Sequence, residues 1–326
     1  MASTSDDLSF DVLDERFTDA QAAAEYLEGL RWANGPVCPH CGESEREPYR
    51  LNVKGTSRRV WKCRACRKQF TVMVGTIFED SHVPLNKWLL AFYLLCSSKK
   101  GMSAHQLHRM LGVTYKTAWF MAHRIRYAMQ QPPFRAALTG VVEVDETYVG
   151  GKRRSPNKRK YKPLDPNVRD ERTRKTGRGT DKTPVVLLVE RGGMARSYRV
   201  ANVSGAEIKD VIRKNVDRAA HLRTDSFGSY KGLADEYASH EVVNHLDEWV
   251  RGDVHTNTAE NFFSILKRGI NGIYHHVSEA HLPRYLDEFD FRYNTRSAMG
   301  YTDSDRTKLA LTMIEGKRLK YASGPA

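Results

Sequence analysis

Residues 141–148 read Val-Val-Glu-Val-Asp-Glu-Thr-Tyr, and this stretch decides the fold class of the chain. Its apolar, β-branched residues favour an extended strand, and acidic residues interrupt them. Strand alternation places Glu143 and Asp145 on one face of the strand and Glu146 on the other. The stretch therefore predicts an apolar strand that ends in Asp145.

Alternating strands and helices follow this strand, which indicates an α/β domain. We predict strands at 184–190, 195–200, 221–224 and 241–243, a hairpin turn at 191–194, and helices at 204–216, 256–268 and 281–293. Asp225 directly follows the strand at 221–224, and Glu260 lies on the helix at 256–268 after 34 intervening residues. Three carboxylates thus come from three separate elements.

The chemistry that three such carboxylates can support is phosphodiester cleavage. Two Mg²⁺ ions about 4 Å apart can stabilise both the attacking and the leaving oxygen. Magnesium prefers hard oxygen ligands, which Asp145, Asp225 and Glu260 offer. Helical spacing brings Asn257, Glu260 and Lys267 onto one face, where Lys267 could hold a DNA phosphate. Singly, a carboxylate at a strand end is usually a solvated cap, so the combination carries the interpretation.

Two Cys-x-x-Cys pairs lie upstream of the strand and are separated by 21 residues. Zinc favours four thiolates in a tetrahedron, and two tight turns of this form supply them. The pairs predict a zinc ribbon whose structural zinc is bound by Cys38, Cys41, Cys63 and Cys66. The alternative, a pair of redox motifs, lacks a thioredoxin-like strand and helix. Cys96 lies in an apolar run and is expected to be an inert core thiol.

Residues 85–131 are predicted to be helical, with a helix-turn-helix layout in their second half. Ser103 and Gln106 have the spacing of a capping box, and Gly112-Val113 forms a turn before a helix from Thr114 to Met129. The start of that second helix is where base edges are usually read. The candidate base-reading residues are Tyr115, Lys116 and Thr117, and the candidate phosphate contacts are His123, Arg124 and Arg126. An ordinary helical hairpin with a basic surface is the alternative.

The charge of the chain points to a polyanionic partner, of which nucleic acid is the commonest. Lys and Arg outnumber Asp and Glu by 52 to 39, a net charge of +13. Residues 151–182 alone contain thirteen basic and four acidic residues and predict a long basic loop, in which Lys152, Arg153 and Arg154 are candidate DNA contacts. Because the sequence has neither a long apolar run nor a signal peptide, we expect no membrane span and a cytoplasmic, nucleoid-associated protein.

Taken together, these motifs resemble those of bacterial insertion-sequence transposases of the DDE class, in the branch that carries an N-terminal zinc ribbon. The resemblance runs from about residue 20 to residue 300. Two acidic motifs make it specific, whereas either alone would be weak. The matching stretches are 38–42 (Cys-Pro-His-Cys-Gly), 143–152 (Glu-Val-Asp-Glu-Thr-Tyr-Val-Gly-Gly-Lys), 224–225 (Thr-Asp), 257–263 (Asn-Thr-Ala-Glu-Asn-Phe-Phe) and 289–294 (Phe-Asp-Phe-Arg-Tyr-Asn).

The resemblance implies an RNase H-like fold, a mixed central sheet flanked by helices, preceded by the zinc ribbon and a helical domain. It implies that Asp145, Asp225 and Glu260 are metal ligands for two Mg²⁺ or Mn²⁺ ions, and that Asn257 matches an Asn found ahead of the Glu in some members. It also implies hydrolysis at inverted-repeat DNA ends, attack of the freed 3′-hydroxyl on target DNA, and at least a dimer on paired ends.

The predicted organisation is a helical segment (1–34), the zinc ribbon (35–75), a helical DNA-binding domain (76–132), the catalytic domain (138–300) with its basic insertion (151–182), and a C-terminal tail (301–326). Two other functions fit parts of this pattern. One is a catalytically silent, site-specific DNA-binding protein derived from a transposase, although such a protein would have no reason to keep three carboxylates. The other is an RNase H-like nuclease, which shares the metal chemistry.

Overall fold

The computed structural model describes residues 17–52, 59–130, 136–150, 182–243, 250–317 and 319. The chain divides into two compact units: Met1–Arg135 together with Asp287–Ala326, and Ala136–Leu286. The predicted basic insertion lies outside the described residues except for Lys182. The domain boundaries drawn from the sequence stay predictions.

The unit Ala136–Leu286 is built on a five-stranded mixed sheet. Its strands are β4 (Val141–Val149), β5 (Thr183–Glu190), β6 (Ala195–Arg199), β7 (His221–Asp225) and β8 (Ser239–Val243). The spatial order is β6-β5-β4-β7-β8. β5 pairs antiparallel with both β4 and β6, whereas β4, β7 and β8 run parallel. The predicted strand that ends in Asp145 is thus the central one, and it continues to Val149.

Helices cover both faces of this sheet. Val142 and Val144 are buried in one hydrophobic cluster with Ile208 and Ile212 of helix α5 (Gly205–Asn215). Glu143, between them, bonds instead to the start of helix α6 (Asn257–Gly269). Because successive strand residues face opposite sides, α5 and α6 lie on opposite faces. The mixed sheet and its flanking helices confirm the predicted RNase H-like α/β fold.

The other unit combines a small antiparallel sheet with helices. Two of its helices come from the C-terminal part of the chain. Its elements are α1 (Ala20–Arg31), β1 (Tyr49–Leu51), β2 (Val60–Lys62), β3 (Gln69–Phe70), α2 (Leu85–Ser97), α3 (Ala104–Leu111), α4 (Tyr115–Met129), the second half of α7 (Leu282–Asn294) and α8 (Asp303–Thr312). The segment that the sequence predicts as a tail therefore contains α8, which packs against α2.

Buried charges join distant parts of this unit. Glu288 is fully buried and accepts hydrogen bonds from Arg126 at 2.6 Å and from Arg292. Arg306 of α8 donates to the carbonyl of Cys96 at the end of α2, at 2.8 Å. Removing one member of such a buried group would leave an uncompensated charge, which typically costs about 3–5 kcal/mol.

Two details of local structure differ from the sequence pattern. Thr18 and Gln21 have capping-box spacing, but the first helix is capped by Asp19, whose carboxylate accepts from the backbone of Ala22 at 2.8 Å. The apolar run at 70–73 is typical of a strand, but the strand ends at Phe70 because residues 72–75 form a turn. Within the described residues, no helix is both long enough and apolar enough to span a bilayer.

Candidate active site

The four cysteines of the ribbon converge on one point. Their Sγ atoms all lie within 4.8 Å of one another, and the Cys38–Cys66 and Cys41–Cys63 pairs are each 3.7 Å apart. A tetrahedral zinc with bonds of about 2.3 Å requires sulfurs about 3.8 Å apart. These distances are too long for disulfides and fit a metal, so the four side chains suit the predicted structural zinc.

Backbone groups prepare one of these thiols for a metal. N–H groups of Cys66 and Ala65 donate to the Cys63 sulfur and lower its pKa to about 7. The thiolate is the form that binds zinc, so the tight turn favours the ligating state. Cys96 is different: it is fully buried, and burial raises its pKa to about 12. Its burial confirms the core thiol that its sequence context predicts.

The sheet topology brings two of the predicted acids together. β4 and β7 are neighbouring parallel strands whose last paired residues are Val144 and Thr224. Asp145 and Asp225 are the next residues on each strand, so they emerge side by side. Oxygens of Asp145, Glu146 and Asp225 all lie within 4.8 Å of one another. Three hard carboxylate donors at this spacing suit a divalent cation such as Mg²⁺.

Crowding of negative charge perturbs this cluster. Burial first, and then the negative charges of Glu146, Asp225 and Glu260, raise the pKa of Asp145 to about 7. The backbone N–H of Glu146 donates to Asp145 at 2.7 Å and opposes the shift. Such a site favours a bound cation, which would offset the repulsion between the carboxylates.

Glu146 is a member of the cluster that the sequence interpretation did not include. Alternation assigns it to the opposite face of β4, yet its carboxylate reaches the other two acids. The buried Tyr230 donates to it through a hydroxyl hydrogen bond of 2.7 Å. The signal in the sequence was the adjacent pair of acids at 145–146, but spacing alone did not indicate that both would contribute.

Glu260 lies in the first turn of α6 and is exposed. It does not belong to the group of oxygens within 4.8 Å, although its charge acts on Asp145. Asn257 and Lys267, on the same helix, are also exposed. The helix therefore presents all three predicted residues to solvent, with Glu260 near enough to influence the cluster electrostatically.

The helix-turn-helix candidate has the expected local structure. Ser103 caps α3 by accepting from the backbone of Gln106 at 3.2 Å. Gly112 ends α3 in the left-handed conformation, and Thr114 caps α4. Tyr115 and Lys116 are exposed at the start of α4, whereas Thr117 is half-buried and bonds to the cap. Tyr115 stacks on His105 with 4.3 Å between ring centroids.

Arg124 requires a correction, because the structure places it where DNA could not reach it. Its side chain is buried and donates to the carbonyls of Ile77, Glu79 and Leu319, at 2.7, 3.0 and 3.2 Å. Arg126 and His123 are buried as well. An amphipathic pattern does not reveal which basic residues of a helix face the interior. Lys152, Arg153 and Arg154 lie outside the described residues.

A mixed sheet with acids at the ends of adjacent parallel strands is the arrangement that the resemblance to DDE-class transposases implies. Family models support this class. The ISXO2-like transposase domain matches residues 137–294, and the transposase zinc-ribbon domain matches residues 18–69. An uncharacterized protein in the transposable element ISH50 of Halobacterium salinarum is 33% identical over 290 residues, 85% of this chain and 91% of that protein.

The chain therefore belongs to the IS1595 family of DDE transposases with an N-terminal zinc ribbon. Membership implies a DNA transposase that uses a divalent metal and a ribbon that holds zinc.

Solved structures of Mos1 transposase are also similar to this chain. The paired-end complex with the left transposon end has 14% identity and a TM-score of 0.28, covering 68% of this chain and 74% of that one. The strand transfer complex has 14% identity and a TM-score of 0.26, covering 69% and 74%. Overlaps at these scores are too weak to establish a shared fold.

Proposed function

We propose that the protein cuts DNA at the inverted-repeat ends of its own element and joins those ends to target DNA. The observation that carries the proposal is the convergence of Asp145 and Asp225 at the ends of adjacent parallel strands. Membership of a transposase family supports the choice of substrate. Hydrolysis breaks the phosphodiester at the element end and leaves a 3′-hydroxyl. That hydroxyl then attacks a target phosphate, and the displaced target oxygen takes up a proton.

Asp145, Asp225 and Glu260 would hold two Mg²⁺ or Mn²⁺ ions. Bound there, the cations supply charge stabilisation for the attacking and leaving oxygens. The three carboxylates come from a strand, a strand and a helix, so they can flank a DNA phosphate from different directions. Lys267 and Asn257 project from the same helix as Glu260 and would contact the DNA backbone near the reacting phosphate.

The unit that contains α3 and α4 would recognise the DNA ends. Tyr115, Lys116 and Thr117 stand at the start of α4, where a recognition helix usually reads base edges. Phosphate contacts would also come from the most basic segment of the sequence, which is outside that unit, through Lys152, Arg153 and Arg154. Paired element ends require at least a homodimer, and chromosomal DNA as substrate places the enzyme in the cytoplasm at the nucleoid.

The test is magnesium-dependent strand joining. Purified protein is incubated with labelled DNA that carries the element ends and with a supercoiled target. The proposal predicts joined products that require Mg²⁺ and vanish in Asp145→Ala, while Asp235→Asn, an exposed acid of the same unit, keeps them. Specific end binding with no cleavage in Mg²⁺ or Mn²⁺ would indicate a site-recognition protein. Cleavage that ignores the end sequence would indicate a nuclease.

A further inference from the structure

The side chain of the preceding residue does not cap helix α6, which carries Glu260. Its first residue is Asn257, and the preceding Thr256 makes no side-chain capping bond. The first N–H groups of a helix have no partner within the helix and need one elsewhere. Glu143 of β4 is the partner of two of these N–H groups. Its carboxylate accepts from the backbone of Thr258 at 2.8 Å and of Ala259 at 3.1 Å.

Glu143 is fully buried, and each of its oxygens is occupied. Oε2 accepts both backbone N–H groups, and Oε1 accepts from the Thr258 hydroxyl at 2.9 Å and from Arg191 Nε at 2.7 Å. A buried carboxylate is tolerated only when it is bonded and its charge is offset. The N-terminal end of α6 and the guanidinium of Arg191 together provide this compensation.

Arg191 extends the same connection to the segment before the helix. Its Nη1 donates to the carbonyl of Asp253 at 2.7 Å. Its Nη2 donates to the carbonyl of His255 at 2.9 Å and to Nδ1 of that residue at 3.0 Å. An arginine can only donate, so this ring nitrogen is the acceptor. The pair Glu143–Arg191 thus fixes both the approach to α6 and its first turn.

The connection joins the two sides of the candidate active site. Glu143 precedes Asp145 by two residues on one strand, so both side chains lie on the same face. Ala259, which Glu143 binds, directly precedes Glu260. One side chain therefore links the strand of Asp145 to the helical turn of Glu260.

We infer that Glu143 is a positioning residue, which sets the location of Glu260 relative to Asp145 and so tunes the affinity of the acidic site for divalent metal. The inference rests on the proposed function, because it takes Asp145 and Glu260 to be metal ligands. Groups that orient metal ligands typically change metal affinity by about 10–100-fold when they are removed.

The test compares Glu143→Gln with Glu207→Gln in the full-length protein. Glu207 performs the same kind of structural task in α5, where its carboxylate accepts from the backbone of Ala201 at 2.7 Å and of Asn202 at 3.1 Å. No proposed metal ligand lies on α5. Mn²⁺ binding is measured by isothermal titration calorimetry, and cleavage of element-end DNA is measured as a function of Mn²⁺ concentration.

We expect Glu143→Gln to weaken Mn²⁺ binding by about tenfold and to raise the half-saturating Mn²⁺ concentration for cleavage by the same factor. Excess Mn²⁺ should recover most of the cleavage rate. Glu207→Gln should match the wild type in both measurements. Thr258→Val removes a single donor to Glu143, keeps the side-chain volume, and should shift Mn²⁺ affinity in the same direction by a smaller factor. It provides the test if Glu143→Gln does not fold.

Wild-type Mn²⁺ affinity in Glu143→Gln, or an equal loss in Glu207→Gln, would overturn the inference and leave the proposed function intact. If the wild-type protein binds no Mn²⁺, or binds it equally well after Asp145 is replaced, the proposed function is overturned and the inference with it. The two failures are distinguished by the wild-type titration alone.

Discussion

The zinc ribbon and the acidic site are both clusters of metal-binding side chains, but the chain assembles them in different ways. Four cysteines come from two short turns, and their sulfurs all lie within 4.8 Å of one another. The acids come from β4, β7 and α6, and only the order of strands in the sheet brings Asp145 beside Asp225. Local spacing therefore predicts the first cluster, whereas tertiary topology determines the second.

The two clusters also differ in what the protein does for the metal. Backbone N–H groups lower the pKa of Cys63 to about 7, so the ribbon prepares a ligand locally. Burial and neighbouring charges raise the pKa of Asp145 to about 7. The carboxylates of the acidic site therefore repel one another, and a bound cation would reduce this repulsion. We expect the first metal to stabilise the fold and the second to serve the reaction.

Loss of the ribbon zinc should have the largest effect. Cys63→Ser removes one of four thiolates, and structural zinc contributes apparent binding free energies of about 10 kcal/mol in small domains. We expect zinc content to fall from one ion per chain to none and the ribbon to lose its ordered structure. Zinc analysis of the purified protein measures this. Cys96→Ala, at the buried thiol outside the cluster, should keep its zinc, and retained zinc in Cys63→Ser would contradict the four-thiolate site.

Loss of a catalytic ligand should affect chemistry and leave recognition unchanged. Asp225→Asn is expected to reduce cleavage by about 10³-fold, equivalent to several kcal/mol of transition-state stabilisation, because a metal ligand is lost. End-DNA binding, measured by gel shift without Mg²⁺, should match the wild type. Asp235→Asn serves as the exposed control in the same unit. An equal loss of DNA binding in Asp225→Asn would count against its assignment as a ligand.

The raised pKa of Asp145 makes stability depend on pH. Its folded-state pKa is about 7 against an ordinary 3.8, so the folded state binds the proton more tightly. The free energy of unfolding should therefore fall as pH rises from about 4 to 7, by about 1.4 kcal/mol per unit of pKa difference.

In Mg²⁺-free buffer with zinc retained, Asp145→Asn should be more stable than the wild type above pH 7, by about 4 kcal/mol, and equal to it near pH 4. Urea denaturation across this range measures the difference, with Asp235→Asn as the control that should show none. If the stability difference between Asp145→Asn and the wild type does not change with pH, the burial of a charged Asp145 is not its cause.

The smallest predicted effect separates two basic residues of one helix. Lys116→Ala should lower the slope of log affinity against log salt by about one, because one phosphate contact is lost. Arg124→Ala should leave the slope unchanged and instead destabilise the unit, since the buried guanidinium donates hydrogen bonds to three carbonyls. Filter binding at several salt concentrations measures both slopes. A reduced slope in Arg124→Ala would indicate that Arg124 contacts DNA in spite of its burial.

Much of the fold was predictable because the deciding signals are local. Apolar alternation located the strands, and capping residues located the start of α3. The order β6-β5-β4-β7-β8 was not predicted, since strand pairing depends on contacts between residues distant in the sequence. The burial of individual residues could not be predicted either. Arg124 and Lys116 are both basic residues of one helix, and only the packing of the folded protein shows that the first is buried and the second exposed.

The candidate site was predictable in part for the same reason. Asp145, Asp225 and Glu260 follow from motif and spacing, and the structure brings the first two together. Glu146 and Glu143 have roles that depend on partners far along the chain. Tyr230 bonds to Glu146, and the first turn of α6 bonds to Glu143, so neither role has a signature near the residue itself.

The central claim, that the two clusters hold different metals, has one direct test. Crystals of the protein with element-end DNA are soaked in Mn²⁺, and diffraction is recorded at the zinc and manganese absorption edges. We expect a zinc peak among Cys38, Cys41, Cys63 and Cys66, and manganese peaks in contact with Asp145 and Asp225. Manganese located away from those two carboxylates, or absent beside them, would contradict it.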